Sequence, residues 1–132
     1  MTSKEYISLL KEKQSEHQEQ IEVVNYCKRN NILFTAVPNG GKRHKKTAFD
    51  LKKEGVSSGF PDMIIFKRGD ILFLEMKQRA RTLKSGKNSI SHTKLSDNQK
   101  VWIQELESRN FNVCVAYGSD EAIKSIKEFM KD

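Results

Sequence analysis

The sequence predicts an α/β fold in which a central mixed β-sheet of about four strands is flanked by helices. Short apolar runs alternate with segments of helical periodicity, two of these runs are separated by only a tight turn, and Gly, Pro or N-cap residues mark the boundaries. The predicted order is helix, strand, helix, strand, strand, helix, strand, helix (α-β-α-β-β-α-β-α). A chain of 132 residues is the size of one such domain, so we expect a single domain over residues 1–132.

The first half of the chain predicts a long helix, a strand and a short helix. Residues from about Ser3 to Arg29 contain no Gly or Pro and carry apolar residues at helical spacing, so they predict a helix with residues 1–15 as its polar N-terminal extension. The apolar run from Ile32 to Val37 predicts a strand. A modest helix from about Lys46 to Glu54 is expected to end at Gly55.

A β-hairpin bordered by acidic residues is the most informative prediction. Two apolar runs, residues 63–66 and 71–74, are separated by a polar tetrapeptide that suits a two-residue loop at Arg68-Gly69. The register that this loop sets places Asp62 opposite Glu75. Like charges so placed destabilise a sheet, and something else must therefore compensate for their repulsion.

Asp62 and Glu75 together predict a site for a divalent metal ion. Strand alternation puts Glu75 and Lys77 on one face of the hairpin and Leu74 and Met76 on the other. Carboxylate oxygens suit Mg²⁺, which commonly completes its coordination with phosphate oxygens. Lys77 would orient the attacking water or stabilise developing charge, so the set suits hydrolysis of a phosphodiester bond.

A simpler interpretation is that Asp62 ends a loop and that Glu75 pairs with Lys77. A short motif is weak on its own in a chain in which 31% of the residues are charged. A glutamate inside an otherwise apolar run favours the metal site, because a buried charge is costly unless it is paired or metal-bound.

The charge distribution predicts a nucleic-acid partner. The 24 Lys and Arg exceed the 17 Asp and Glu, which gives a formal net charge of +7. Six basic residues against one acid lie in residues 42–53, and seven against one lie in residues 77–100. Clustered basic residues neutralise phosphates. A solvated surface explains one such run, but two runs on either side of paired acids favour phosphate binding.

Several classes of protein do not fit the sequence. There is no apolar span long enough for a membrane helix and no signal peptide, so we expect a soluble cytoplasmic protein. Cys27 and Cys114 fall in apolar segments and are predicted to be buried thiols, and no paired spacing indicates zinc. No small-molecule organic cofactor is expected.

The second half predicts a loop, two helices and a strand. Residues 78–95 are basic and polar, and we expect a mobile loop there. Ser96 to Gln99 form a capping box that opens a helix through about Ser108. A strand over residues 111–117 precedes the last helix, for which Ser119 is the predicted N-cap.

Six motifs in a fixed order mark a match that covers nearly all of the chain after residue 15. They are Ser15-Glu16-His17, Val37-Pro38-Asn39-Gly40-Gly41, the octapeptide from Gly55 to Asp62, Leu74-Glu75-Met76-Lys77, the pentapeptide from Leu95 to Gln99, and Val113-Cys114-Val115-Ala116. Together they resemble the VRR-NUC (virus-type replication-repair nuclease) family in its small stand-alone form. That family lies within the PD-(D/E)xK superfamily, so the resemblance implies a restriction-endonuclease-like core.

The resemblance also implies an activity and a set of site residues. The activity would be a Mg²⁺- or Mn²⁺-dependent DNA endonuclease, with Asp62 and Glu75 as metal ligands, Lys77 as the catalytic lysine and Gln99 beside the active site. Family members use a further glutamate from the first helix as a metal ligand. We assign this role to Glu16, which lies on a helix face that continues to later apolar residues, while Glu19 and Glu22 remain alternatives.

Charge and position alone identify two groups of DNA-binding candidates. They are Lys42, Arg43, Lys45 and Lys46 before the hairpin, and Arg79, Arg81, Lys84 and Lys87 after it. The resemblance implies a homodimer acting on branched DNA such as a four-way (Holliday) junction. A non-catalytic nucleic-acid-binding module and a sequence-specific, restriction-like endonuclease remain the alternatives.

Overall fold

The structure, a computed structural model, describes residue 3 and residues 15–38, 47–79, 81–82, 89–90 and 94–132. For residues 15–16, 81–82 and 89–90 it describes the backbone alone. Of the predicted first helix, residues 4–14 lie outside this set.

The helices and strands follow the predicted order, with two additional short strands after the hairpin. They are α1 (Ser15–Arg29), β1 (Leu33–Ala36), α2 (Ala48–Lys53), β2 (Met63–Lys67), β3 (Asp70–Lys77), β4 (Arg81–Thr82), β5 (Ser89–Ile90), α3 (Asp97–Ser108), β6 (Asn112–Tyr117) and α4 (Ser119–Met130). The predicted α/β class, with a mixed sheet of four strands between helices, is confirmed.

The central sheet has the strand order β1-β2-β3-β6. Strands β1, β2 and β3 pair antiparallel, whereas β6 pairs parallel to β3. In the hairpin Lys67 pairs with Asp70 and Met63 pairs with Leu74, so the two-residue loop and the predicted register are confirmed. Pairing with β6 extends β3 to Lys77, three residues beyond the predicted apolar run.

Helices cover both faces of this sheet. On one face, apolar residues of α1 and α4 pack against those of the strands; this core includes Val23, Cys27, Ala122 and Ile126 from the helices and Met63, Ile65, Leu74 and Met76 from the strands. On the other face, Phe60 makes edge-to-face contacts with Phe73 of β3 and Trp102 of α3. Because side chains alternate along β3, Glu75 and Lys77 lie on the α3 face with Phe73.

Three local features differ from the sequence predictions. The basic segment 78–95 contains a short antiparallel ribbon of β4 and β5, which was not predicted. Ser119 is not an N-cap: α4 is capped by Gly118, whose φ of 101° turns the chain into the helix. Cys27 is fully buried as predicted, but Cys114 is only partly buried. No helix within the described ranges is long and apolar enough to cross a membrane.

Candidate active site

The candidate site lies where β2 begins and β3 ends. Asp62 immediately precedes β2, and its carbonyl oxygen accepts a hydrogen bond from the Val37 backbone N–H at 2.7 Å. Its Oδ2 accepts another from the Met76 backbone N–H at 2.8 Å. The backbone pairing of β2 with β3 ends at Met63 and Leu74. One residue further on, the hydrogen bond from the Met76 N–H to the Asp62 side chain takes its place and holds this carboxylate against β3, beside Glu75.

Glu75 is buried, with 2% of its surface exposed, and is held by Gln99. Gln99 Nε2 donates to Glu75 Oε1 at 2.8 Å. The side-chain carbonyl of Gln99 (Oε1) accepts a hydrogen bond from the backbone N–H of Ser96 at 2.8 Å, and Ser96 Oγ accepts one from the backbone N–H of Gln99 at 3.2 Å. Because the capping box engages the carbonyl end of the amide, the NH₂ end faces Glu75. Gln99 therefore both caps α3 and orients the carboxylate of Glu75.

Lys77 is also buried, with 7% exposed, and follows Glu75 on the same face of β3. Its carbonyl accepts from the Gly118 N–H at 3.1 Å, which fixes the strand end against the start of α4. A buried ammonium group is costly without a counter-charge, and the two carboxylates at this strand end supply negative charge nearby. The structure thus brings together Asp62, Glu75, Lys77 and Gln99.

Close packing at Gly59 connects the loop that carries Asp62 with the helix that carries Gln99. Gly59 has a φ of 89°, and a Cβ there would lie 2.6 Å from the Asn98 carbonyl carbon and 2.7 Å from the Gln99 nitrogen. Asn98 Nδ2 also donates to Ser58 Oγ at 2.5 Å. Only glycine fits at this position, so the loop lies directly on the first turn of α3.

The three candidate acids of the first helix have different environments. Glu19 accepts hydrogen bonds from Arg79 Nη2 and, at 3.4 Å, from the Ser119 N–H. Glu22 Oε2 accepts from Ser119 Oγ at 2.6 Å. Arg79 and Ser119 follow the ends of β3 and β6, so the N-terminal half of α1 lies at the same end of the sheet as the site. Glu16 lies in the first turn of α1, and its side chain is outside the described residues.

Arg79 was predicted to bind DNA, but the structure places it in an intramolecular network. Its Nη2 pairs with Glu19, and its Nη1 lies 3.5 Å from Asp120 Oδ2. Burial acts to lower the pKa of Arg79, but the hydrogen bond and charge of Glu19, with a smaller effect of Asp120, raise it above its ordinary value. Sequence reasoning missed this pair because Glu19 and Arg79 are 60 residues apart and no local pattern connects them.

The other DNA-binding candidates fall mostly outside the described residues. Arg81 is described by its backbone alone, in β4. Those outside the described ranges are Lys42, Arg43, Lys45, Lys46, Lys84 and Lys87.

The donor set at the site fits a hard divalent cation. Asp62 and Glu75 supply carboxylate oxygens at adjoining strand ends, and a carboxylate as deeply buried as Glu75 is typical of a group that serves a cation. Within the described part of the chain, no group of three or more His, Cys, Asp or Glu side chains is arranged around one point to hold a metal. A third acid would have to come from outside that part, and the Glu16 side chain is the candidate.

Comparison with known proteins gives a consistent picture. The family model described as VRR-NUC domain matches residues 3–120. A solved structure described as a VRR_NUC domain protein superposes with a TM-score of 0.59 and 24% sequence identity over 87% of each chain, a likeness that shows the fold. No curated protein matches the chain.

Proposed function

Because the chain belongs to the VRR-NUC domain family, which is a family of nucleases, we propose that it is a Mg²⁺- or Mn²⁺-dependent DNA endonuclease. One observation carries the proposal. The Asp62 carboxylate is bound to the backbone of β3 next to a buried Glu75 that Gln99 orients, and Lys77 is buried on the same face. Two acids and a lysine at one strand end suit the hydrolysis of a phosphodiester.

Asp62 and Glu75 are the residues that would hold the metal ion. When bound, the ion would polarise a phosphoryl oxygen and lower the pKa of a coordinated water. The chain keeps both carboxylates in place before substrate arrives: the Met76 N–H holds one, and the Gln99 amide holds the other. Such fixed groups need little reorganisation during the reaction.

Lys77 would supply positive charge where the phosphate becomes more negative. Its ammonium group has three donors, and its burial places it in surroundings of low dielectric, where its interaction with an oxyanion is stronger than in water. It would stabilise developing charge or orient the attacking water. Lys77→Met should therefore abolish cleavage while leaving metal binding measurable.

We assign the first-helix acid to Glu16. The carboxylates of Glu19 and Glu22 are engaged with Arg79 and Ser119. Glu16 lies seven residues before the fully buried Val23, a spacing that keeps both on one face of α1. It is the remaining acid of the three and lies nearest to the start of the helix.

The substrate and assembly form the finer part of the proposal. The basic residues around the hairpin, apart from Arg79, would bind the phosphate backbone without sequence preference. Branched DNA, with four-way junctions favoured, and a homodimer with two sites for two strands follow from the resemblance to small nucleases of this type. A mass measurement in solution, with and without DNA, tests the dimer.

A cleavage panel tests the function. Labelled four-way junction, flap and linear duplex are incubated with Mg²⁺, Mn²⁺ or EDTA, and wild type is compared with Asp62→Asn and Glu75→Gln. Both substitutions should abolish cutting yet preserve or tighten DNA binding, since removing a carboxylate lowers its repulsion of phosphate. Asp70→Asn, an exposed change at the other end of the same hairpin, is the matched control and should cut normally.

Each remaining outcome has a definite meaning. Undiminished cutting by the Asp62 or Glu75 variant would eliminate this site. Binding without cutting in every metal would favour the non-catalytic module. Cutting of linear duplex at one fixed sequence, with junctions ignored, would favour the restriction-like enzyme.

A further inference from the structure

Arg79 lies just after β3 and links the end of that strand to α1 and α4. It lies two residues after Lys77, and its guanidinium pairs with Glu19 of α1 and with Asp120 in the first turn of α4. The guanidinium also packs on Gly118, where a Cβ would lie 2.5 Å from Arg79 Nε. The glycine leaves the space that the arginine occupies.

Ser119 extends this network. Its N–H and its hydroxyl donate to Glu19 Oε1 and Glu22 Oε2, at 3.4 Å and 2.6 Å. Ser119 is 2% exposed and the Glu19 side chain is 13% exposed, so these bonds are largely shielded from water. Glu19 and Glu22, which lie one turn apart on one side of α1, are thereby held at the ends of β3 and β6.

The network fixes the rotation of α1 about its axis, which apolar packing alone does not. Val23 and Cys27 bury the middle of the helix against the sheet, but apolar contacts are non-directional and allow small rotations and shifts. Hydrogen bonds to Glu19 and Glu22 are directional. Glu16 is three residues before Glu19 and so lies on the same side of the helix, one turn closer to its start.

We propose that Arg79 is a positioning residue that acts through the first helix. By holding Glu19 at the start of α4, it sets the rotation of α1 and with it the side of the helix on which Glu16, the proposed third metal ligand, lies. The inference rests on the proposed function. It replaces the predicted role of Arg79 in DNA binding, because Glu19 and Asp120 already offset its charge.

Metal affinity tests the inference independently of cleavage. Free Mn²⁺ is measured by electron paramagnetic resonance during titration of wild type, Arg79→Ala, Arg79→Lys and Glu19→Gln. The Ala and Gln variants should each bind Mn²⁺ about tenfold more weakly, the lower end of the effect expected when a group that orients a ligand is lost. Arg79→Lys, which keeps the charge but loses the planar fork, should fall between them and wild type. Arg68→Ala, which removes an exposed arginine from the hairpin turn, is the control and should bind as wild type.

Two further measurements separate positioning from other roles. In a Glu16→Gln background, Arg79→Ala should cause no additional loss of Mn²⁺ affinity, since the ligand that it positions is already gone. The salt dependence of DNA binding should be the same for Arg79→Ala and wild type. If Arg79→Ala proves unfolded by circular dichroism, Arg79→Lys carries the same comparisons.

The outcomes are distinguishable from a failure of the proposed function. A reduced salt slope with unchanged Mn²⁺ affinity would make Arg79 a DNA ligand, and additive losses with Glu16→Gln would show that it acts elsewhere. Either result overturns the inference while the nuclease proposal stands. Failure of wild type to bind Mn²⁺, or full affinity in the Asp62 and Glu75 variants, would instead overturn the proposed function and this inference with it.

Discussion

Replacing Gly59 by Ala tests whether the loop that carries Asp62 is held by close packing on α3. The substitution has two separate costs. A φ of 89° lies in the left-handed region, where a side chain costs about 1–2 kcal/mol. The added methyl group would also lie 2.6 Å from the Asn98 carbonyl carbon and 2.7 Å from the Gln99 nitrogen, both backbone atoms.

The magnitude follows from these distances. Carbon atoms in contact normally lie about 3.5–4.0 Å apart, so the loop and the helix would have to separate by roughly 1 Å. Overpacking of this kind costs about 1–3 kcal/mol. The two terms sum to about 2–5 kcal/mol, a large share of the roughly 5–15 kcal/mol that stabilises a typical domain. Cleavage should fall as well, because the same shift separates Asp62 from Gln99.

The assay is urea unfolding followed by the fluorescence of Trp102, the single tryptophan. Gly55→Ala and Gly69→Ala are matched controls: their φ values are 92° and 70°, but a Cβ at either would meet nothing within 4 Å. They should lose about 1–2 kcal/mol from strain alone. A Gly59→Ala variant no less stable than these two controls would refute the close packing.

Three further predictions concern the cap of α3, two basic residues before the hairpin, and the thiols. Ser96→Ala removes half of the capping box, so the free energy of unfolding measured in urea should fall by about 1 kcal/mol while cleavage is retained. Gln99→Ala also removes the amide that orients the buried Glu75 carboxylate, and it should therefore impair cleavage as well. Alanine at both Lys45 and Lys46 should weaken DNA binding across sequences and reduce the salt slope by about one unit per lost phosphate contact. An unchanged slope would exclude these two lysines from DNA binding. Burial raises the pKa of the Cys27 and Cys114 thiols, so both should react slowly with Ellman's reagent at neutral pH and faster as the pH rises. The partly buried Cys114 should react first. If Cys27 reacts first, the buried environment assigned to it is contradicted.

The sequence predicted those parts of the molecule that local rules specify. The hairpin register follows from strand alternation and a loop at Arg68-Gly69, and both are local. The capping box from Ser96 to Gln99 is a four-residue pattern, and the structure contains both of its bonds. Because these two elements hold Glu75 and Gln99, the contact between them was foreseeable once Gln99 was placed beside the active site.

The remaining features depend on contacts that no local pattern contains. The pairing of Glu19 with Arg79 requires α1 to lie across the end of β3, which is fixed only when the core packs. Serine is a common N-cap residue, but the N-cap of α4 is Gly118, and the Ser119 hydroxyl instead donates a hydrogen bond to Glu22. The strands β4 and β5 have two residues each, too few to show a period of two.

The burial of charge in β3 is the strongest structural argument that this strand end serves a function. All residues from Leu72 to Lys77 are buried, because helices cover both faces of the sheet, and such a strand is normally apolar throughout. Glu75 and Lys77 break that pattern. Buried charges are costly to desolvate, and replacing them with apolar residues of similar volume is often neutral or stabilising, so stability does not explain the presence of these two residues. Both charges lie at the end of β3 that the Asp62 carboxylate contacts, and Gln99 of α3 is oriented onto one of them. The proposed binding of a metal ion and a phosphate would account for buried charge at this end of the strand, whereas the folding of the sheet does not.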